Sequence, residues 1–307
     1  MTVTVRDFRP TDAEDAADVF QAAFPYLVTT PGLVAWQVAN APAAQRYRLL
    51  AAEAGGRIVG IVRAGVFFES SEPGKAFANL GVHPAQRRRG AGTALLAAAE
   101  EYLAGLGAST VYVWAAGDER SLAFAARHGY RRGHSAQFQR LDLAATPLPP
   151  LPALPGEVEL RTAADFVGDP RPLYEADAET AADEPGDVTA DAMGFEDWTT
   201  LIWNRPDLDR ELTSVALVDG AVAAFSAAHT DGRTRYWSAM TGTRRAFRGR
   251  GLAKLVKNDS LHRARAAGYT EALTGNDTGN APMLAVNAWL GYQPTATEWR
   301  CIHDLAR

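Results

Sequence analysis

The feature that most constrains this chain is an internal repeat of whole-domain length. Gly81-Val-His-Pro-Ala-Gln-Arg-Arg-Arg-Gly-Ala-Gly92 is answered by Gly242-Thr-Arg-Arg-Ala-Phe-Arg-Gly-Arg-Gly-Leu-Ala253, and His128-Gly-Tyr130 by Leu290-Gly-Tyr292. The offset is 161 residues at Gly90/Gly251 and 162 at Tyr130/Tyr292. An offset that moves by one residue over such a span identifies a duplicated domain rather than a short-period solenoid. Val3-Thr-Val-Arg-Asp and Val158-Glu-Leu-Arg-Thr open the two copies with a short alternating strand. Between the copies lies Ala144–Gly156, AATPLPPLPALPG. Proline fixes φ and removes backbone donors, so this stretch is an extended connector and neither helix nor central strand. The expected division is an N-terminal domain at 1–143, a linker at 144–156 and a C-terminal domain at 157–307.

Composition supports two cores and narrows the function. Of 307 residues, 47% are hydrophobic and 22% charged, enough apolar material for two domains. With 31 Lys and Arg against 36 Asp and Glu, the net charge of −5 speaks against a nucleic-acid partner. The lone cysteine, Cys301, cannot build an intrachain disulfide, a Cys-rich zinc site or an iron–sulfur cluster. No metal is expected. There is no uninterrupted apolar run of about 18 residues, and the first ten residues lack the apolar core of a leader peptide. The expectation is a cytoplasmic protein with no membrane partner, either a monomer with an internal pseudo-dimer or a homodimer.

Each half reads as mixed α/β. In the first, Arg57–Phe68, Lys75–Val82, Ser109–Trp114 and Gln137–Leu143 are expected strands, with helices over Thr93–Leu106 and Arg120–His128. Leu95, Leu96, Ala99 and Leu103 fall on one helix face. In the second, Ser214–Ala228 holds two strands around Asp219-Gly220, a type I′ hairpin signal. Tyr236–Thr241, Tyr269–Leu273 and Glu298–Leu305 are further strands. Helices are expected over Leu252–Ala267 and Ala281–Trp289, the first with Leu252, Leu255, Val256 and either Leu261 or His262 facing inward.

The chemistry concentrates where a strand runs through an arginine-rich glycine turn into a helix. Glycine lets backbone approach a ligand, and the first helical turn offers unpaired N–H groups at the positive end of the helix dipole. Such a turn cradles a diphosphate, and Arg88, Arg89, Arg244 and Arg250 add charge-assisted donors. Neither copy has the Gly-Lys-Ser/Thr of a P-loop, and neither has the third glycine of a dinucleotide fingerprint. Asn280 has the character of a helix N-cap, with Pro282 in the first turn. Asn287 lies seven residues further along the same helix.

These motifs resemble the GCN5-related N-acetyltransferase (GNAT) family, whose acyl-CoA signature is Arg/Gln-x-x-Gly-x-Gly/Ala. The resemblance extends over nearly the full length as a tandem pair. It implies an α/β fold of two such domains, each a mixed, mostly antiparallel sheet flanked by helices with a splayed strand pair. It implies acetyl-CoA as cosubstrate, its pantetheine arm along Leu80, Gly81 and Val82 in half one and Met240, Thr241, Gly242 and Thr243 in half two. The diphosphate would rest on Arg87, Arg88, Arg89, Gly90, Ala91, Gly92 and Thr93, or on Arg248, Gly249, Arg250, Gly251, Leu252, Ala253 and Lys254. Asn280 matches a family asparagine that contacts the coenzyme, and Asn287 is a further candidate. Asp118 stands in that place in half one, where a carboxylate near phosphates is unfavourable. The C-terminal half is therefore the preferred catalytic half.

Departures from the family leave the catalytic residues unknown. The tyrosine that protonates the leaving thiolate in many members is Ala125 in half one and Asn287 in half two. Tyr236 and Asn287 are catalytic candidates, Glu69 and Glu72 are further candidates for a base, and His83 is another. An acid-rich run from Glu175 to Asp197 favours a cationic acceptor, and Phe195, Trp198, Trp203 and Trp237 are candidate pocket aromatics. The expected function is acetyl transfer to the amine of a small, cationic molecule. The alternatives are a non-catalytic acyl-CoA-binding scaffold and a protein or peptide N-acetyltransferase.

Overall fold

The structure is a computed structural model, and it describes residues 2–70, 72–183 and 193–305. The chain divides into two units. The first runs to Ala136 and takes in the chain again from Ala296; the second holds the described residues between Gln137 and Thr295.

The first unit opens with β1 (Thr4–Asp7), followed by helices α1 (Ala13–Ala23) and α2 (Pro31–Asn40). Thr30 caps α2 by accepting the Leu33 N–H at 3.1 Å, and Pro31 sets the φ of its first turn. Strands β2 (Arg48–Ala54), β3 (Arg57–Val66) and β4 (Lys75–Val82) form an antiparallel meander. Helix α3 (Ala91–Gly105) returns over it and buries Leu95, Leu96, Ala99 and Leu103, the predicted face. Then come β5 (Thr110–Ala116), α4 (Glu119–Arg127) and β6 (Arg131–Asp142), which passes into the second unit from Gln137.

The second half of the chain repeats this order with β7 (Val158–Thr162), α5 (Arg171–Ala181), the single turn α6 (Phe195–Trp198), β8 (Ser214–Val218), β9 (Ala221–Thr230), β10 (Arg235–Thr243), α7 (Leu252–Ala266), β11 (Glu271–Asp277), α8 (Ala281–Leu290) and β12 (Gln293–Asp304). The β8–β9 turn has Asp219 at φ 49° and Gly220 at φ 80°, the two positive values a type I′ turn requires. Leu261, not His262, takes the inward position on α7. Asn258 and His262 instead meet the carbonyl of Pro149 in the proline-rich segment, each at 2.9 Å, which explains why this helix reads as polar.

Strand order is β1-β2-β3-β4-β5-β12 in the first unit and β7-β8-β9-β10-β11-β6 in the second. The units thus depart from the linear halves. The strand expected at Gln137–Leu143 lies beside β11 in the second unit, and the one expected at Glu298–Leu305 lies beside β5 in the first. The reason is local pairing and packing. Glu298–Asp304 runs antiparallel along all of Thr110–Ala116, and Cys301 is sealed into the core formed by Leu95, Leu96, Ala99 and Val113.

The pairings among β1–β5 and β12, and among β7–β11, are antiparallel except at one place in each unit. β4 and β5 run parallel, paired only from Lys75/Thr110 to Phe77/Tyr112, and β10 and β11 run parallel only from Arg235/Glu271 to Trp237/Leu273. Past these points backbone pairing ceases. The Asn79 side chain takes over in the first unit, accepting the Trp114 N–H at 2.9 Å. Each unit therefore has a strand gap that opens toward the glycine turn.

Candidate active site

In the first unit the strand gap leads into a crevice of about 690 Å³. Ala78, Leu80, Gly81 and Val82 of β4 line one side, and Val113–Ala116 of β5 the other. Leu96, Phe124, Ala125 and Tyr130 form its inner wall, and Gln86, Arg87, Arg88, Gly90, Ala91, Gly92 and Thr93 stand at its mouth. The local backbone explains the shape. Arg88 at φ 66° and Gly90 at φ 88° are both left-handed, so the chain turns sharply and starts α3 with no side-chain cap. The first-turn amides have no side-chain cap, and a side chain at Gly90 would meet nothing within 4 Å in the protein itself.

The three arginines of this turn have no acidic partner within ion-pair distance among the described residues. Arg87 Nε donates to the Val82 carbonyl at 3.2 Å and Arg89 to Gln86 Oε1 at 2.8 Å. Among the described residues none of the three is ion-paired. The exit glycine is tight on its other side: a Cβ at Gly81 would lie 2.9 Å from the Phe24 ring, which α1 presses against the strand.

The second unit copies the backbone and changes the electrostatics. Gly249 at φ 77° and Gly251 at φ 76° repeat the turn, and Arg248 Nε donates to the Thr243 carbonyl at 3.1 Å. Its arginines, however, are held. Arg244 Nε meets Glu179 Oε2 at 2.7 Å, and the Arg245 N–H and side chain meet Glu179 and Asp183 at 2.7 Å each. Arg248 also reaches Asp183, and Arg250 reaches Glu157 at 2.9 Å. Hydrogen bonds from Arg245 and Arg248 hold the Asp183 carboxyl down at about 2. The exit glycine is closed more firmly than in the first unit, since a Cβ at Gly242 would lie 2.4 Å from Thr180 Oγ1.

The inner walls differ too. The offset places Lys257 and Asn287 where the first unit has Leu96 and Ala125. Lys257 is 1% exposed, 4.0 Å from Met283 Sδ and 5.6 Å from the centre of the Tyr292 ring. Burial pushes its ammonium down to about 7. Asn287 is wholly buried and donates to Gln139 Oε1 and Asn276 Oδ1, each at 2.7 Å. Its own Oδ1 and the Tyr292 hydroxyl have no hydrogen-bond partner among the described residues.

The remaining candidates fall into place individually. Asn280 caps α8, accepting the Met283 N–H at 3.2 Å, and Asp118 does the same for α4 with Arg120 and Ser121 at 3.1 Å. Tyr236 is fully buried at the closed end of β10, bonded to Ser260 at 2.7 Å, and burial pushes its hydroxyl up to about 12. Met240 packs in the core of the second unit, and Thr241 bonds Ser226 at 3.0 Å. Leu252 is buried there as well. Glu69 and Glu72 lie in the β3–β4 turn, at the closed end of the gap, with Glu72 3.8 Å from Lys75. His83 is a cap, its Nδ1 accepting the Ala85 N–H at 3.3 Å. Trp198 stacks on Trp203 at 5.8 Å and donates to Asp177 at 2.7 Å, so these rings build core rather than pocket. Of the acid-rich run, Glu184, Asp187 and Asp191 lie outside the described residues. Local pattern gave no sign of Glu179 and Asp183 as partners of the second turn, nor of Tyr26 and Glu298, which bond each other at 2.7 Å beside the first crevice.

A parted parallel strand pair, a left-handed arginine–glycine turn and an uncapped helix start come together in the first unit, and known proteins share the fold that carries them. The acetyltransferase (GNAT) family model matches residues 13–130. A mycothiol acetyltransferase of Nocardioides sp. strain JS614 is 30% identical over 228 residues, 70% of this chain and 75% of that protein. One from Geodermatophilus obscurus is 40% identical over 116 residues, 37% of this chain and 35% of that protein. The fold matches that of a tandem GNAT protein from the clavulanic acid biosynthesis pathway with a TM-score of 0.76, at 21% identity over 100% of this chain and 99% of that one. A GCN5-related N-acetyltransferase from Sphaerobacter thermophilus matches at 0.70, with 21% identity over 98% and 95%. The chain belongs to the GNAT family of acetyltransferases. Within it, this is a tandem enzyme that carries the fold twice.

Proposed function

We propose that the protein transfers the acetyl group of acetyl-CoA to the amine of a small, cationic acceptor, and that the first unit's crevice does this work. One observation carries the choice of unit: Arg87, Arg88 and Arg89 make no ion pair beside an open crevice, whereas Arg248 and Arg250 at the matching positions are paired with Asp183 and Glu157. This reverses the preference that Asn280 suggested, since Asn280 and Asp118 both serve as helix caps. In this reading the turn and the first amides of α3 hold the diphosphate, and the apolar walls of β4 and β5 take the pantetheine arm. Transfer is direct: the amine attacks the thioester carbonyl while backbone N–H groups at the strand gap stabilise the oxyanion. Two relatives are named mycothiol acetyltransferase, so amines that carry a thiol join polyamines and amino sugars on the panel of acceptors to test.

Calorimetry with acetyl-CoA on Gly90→Glu and Gly251→Glu tests the reading. Both glycines have positive φ and open space around them. The expected result is loss of binding in Gly90→Glu alone, together with acceptor-dependent release of CoA thiol by the wild type. Loss of binding in Gly251→Glu alone overturns the assignment to the first unit. Binding without thiol release for any amine or peptide points to the scaffold alternative.

A further inference from the structure

Acetyl transfer needs a neutral amine, whereas an aliphatic ammonium keeps its proton at pH 7. The first crevice offers one lining carboxylate, Glu119, at the start of α4 beside the helix cap Asp118. A second carboxylate stands just behind the wall. Glu298 on β12 pairs with Ala116, a lining residue, next to a 2.7 Å bond from the Gly117 N–H to the Thr297 carbonyl. Directly paired residues project from the same face of a sheet. The next residues along that face are Trp114 and Arg300, whose guanidinium lies 5.1 Å from the Trp114 ring. The opposite face, carrying Val113, Ala115 and Cys301, packs against α3.

Tyr26 meets Glu298 from the other side of the gap. It follows α1, its ring lies edge-on to Phe24 at 6.2 Å, and Phe24 lines the crevice against Gly81. Its hydroxyl donates to Glu298 Oε1 at 2.7 Å. The pair therefore spans from the β4 side to the β5 side on the face opposite α3. A thioester that enters from the α3 turn and lies between the strands must be attacked from that opposite face. Tyr26 is 9% exposed and Glu298 5%. Burial raises the Glu298 carboxyl above the usual carboxylate range, while the Tyr26 bond and the charge of Arg63 on β3 oppose the rise. Tyr26 in turn feels Asp118 and Arg87.

We propose that Glu298, brought to the first crevice by the last strand of the chain and steadied by Tyr26, takes the proton of the acceptor ammonium. The inference rests on the function proposed above. One ammonium proton passes to the Glu298 carboxylate, and the freed nitrogen pair forms the N–C bond. The C–S bond then breaks with its electrons on sulfur. A second nitrogen proton goes to the thiolate, so CoA leaves as the thiol, and Glu298 returns its proton to water.

The test is the pH profile of kcat/KM at saturating acetyl-CoA for wild type, Glu298→Gln, Glu298→Asp and Tyr26→Phe. Spermidine, glucosamine and L-cysteine serve as acceptors, and acetyl-CoA affinity is measured in the same preparations. Glu298→Gln is expected to lower kcat/KM by about 100-fold at pH 7 and to remove the acidic limb. Its acetyl-CoA affinity stays within about twofold of wild type, and the aspartate recovers part of the rate. Tyr26→Phe keeps the carboxylate but loses a bond that favours its ionised form. Its acidic limb moves up by about one pH unit, a readout that holds even if Glu298→Gln fails to fold. A wild-type profile in Glu298→Gln, a rate loss matched by lost coenzyme affinity, or an unmoved limb in Tyr26→Phe overturns the inference. So does coenzyme binding without thiol release for any of the three amines. If wild type does not bind acetyl-CoA at all, the proposed function fails and takes this inference with it.

Discussion

The two strand gaps share a backbone and differ in what has been built around it. At the first, the turn arginines are free and the wall is Leu96, Ala125 and Tyr130. At the second, Glu157, Glu179 and Asp183 hold the arginines, and Lys257 and Asn287 occupy the wall. The lesson is that a glycine turn in the right conformation does not by itself make an anion site. Four acidic contacts compensate its charge, and one threonine over the exit glycine closes its approach.

The largest effect should come from reversing charge at each turn. Arg87→Glu with Arg88→Glu is expected to weaken acetyl-CoA binding by about 100-fold or more, and Arg248→Glu with Arg250→Glu to leave it within about threefold. Calorimetry at two ionic strengths checks both, and equal losses would erase the contrast between the gaps.

Lys257 sharpens the comparison through stability. Folded, it gives up its proton near pH 7; unfolded, it keeps the proton to its ordinary value of 10.5. Between these values the unfolded chain binds more protons, so stability rises with pH, and the cost of burying Lys257 is full only below about pH 7. Lys257→Leu is expected to stabilise the protein by about 2 kcal/mol at pH 6 and to flatten this slope. Thermal melts at pH 6, 8 and 10 read both.

Smaller effects are expected at the α4 cap. Asp118→Ala should cost about 1 kcal/mol of stability, because the Arg120 and Ser121 amides lose their acceptor. Asp118→Asn keeps a cap and removes a negative charge near the turn. It should leave the melting temperature unchanged and tighten acetyl-CoA about twofold, as titration would show.

Much of this was legible in the sequence. The repeat, the two glycine turns, the buried face of α3 and the β8–β9 hairpin follow from spacing and local backbone preference. What was hidden depends on distance along the chain. Glu298 meets Tyr26 across 272 positions and Arg244 meets Glu179 across 65, and no local pattern encodes such partners. Lys257 was hidden differently: it sits in a helix whose polar letters suggest solvent, yet Lys257, Asn258, Asp259 and Ser260 are all buried. Asp259 accepts from Ser214 at 2.8 Å and Arg263 at 2.7 Å, so that stretch is an interior network written in surface residues. Asn280 carries two readings at once, because capping a helix and touching a coenzyme ask for the same side chain at the same place.

The strand β12 carries a consequence for inheritance. Since residues from Ala296 onward complete the sheet that begins at Thr4, a gene cut at the proline-rich segment yields a front half whose β5 has a bare edge, open to sticking to other chains. After the duplication, neither copy could be discarded by simple truncation. The second copy is kept whatever it binds, because the chain must pass through it to reach the strand that completes the first unit's sheet.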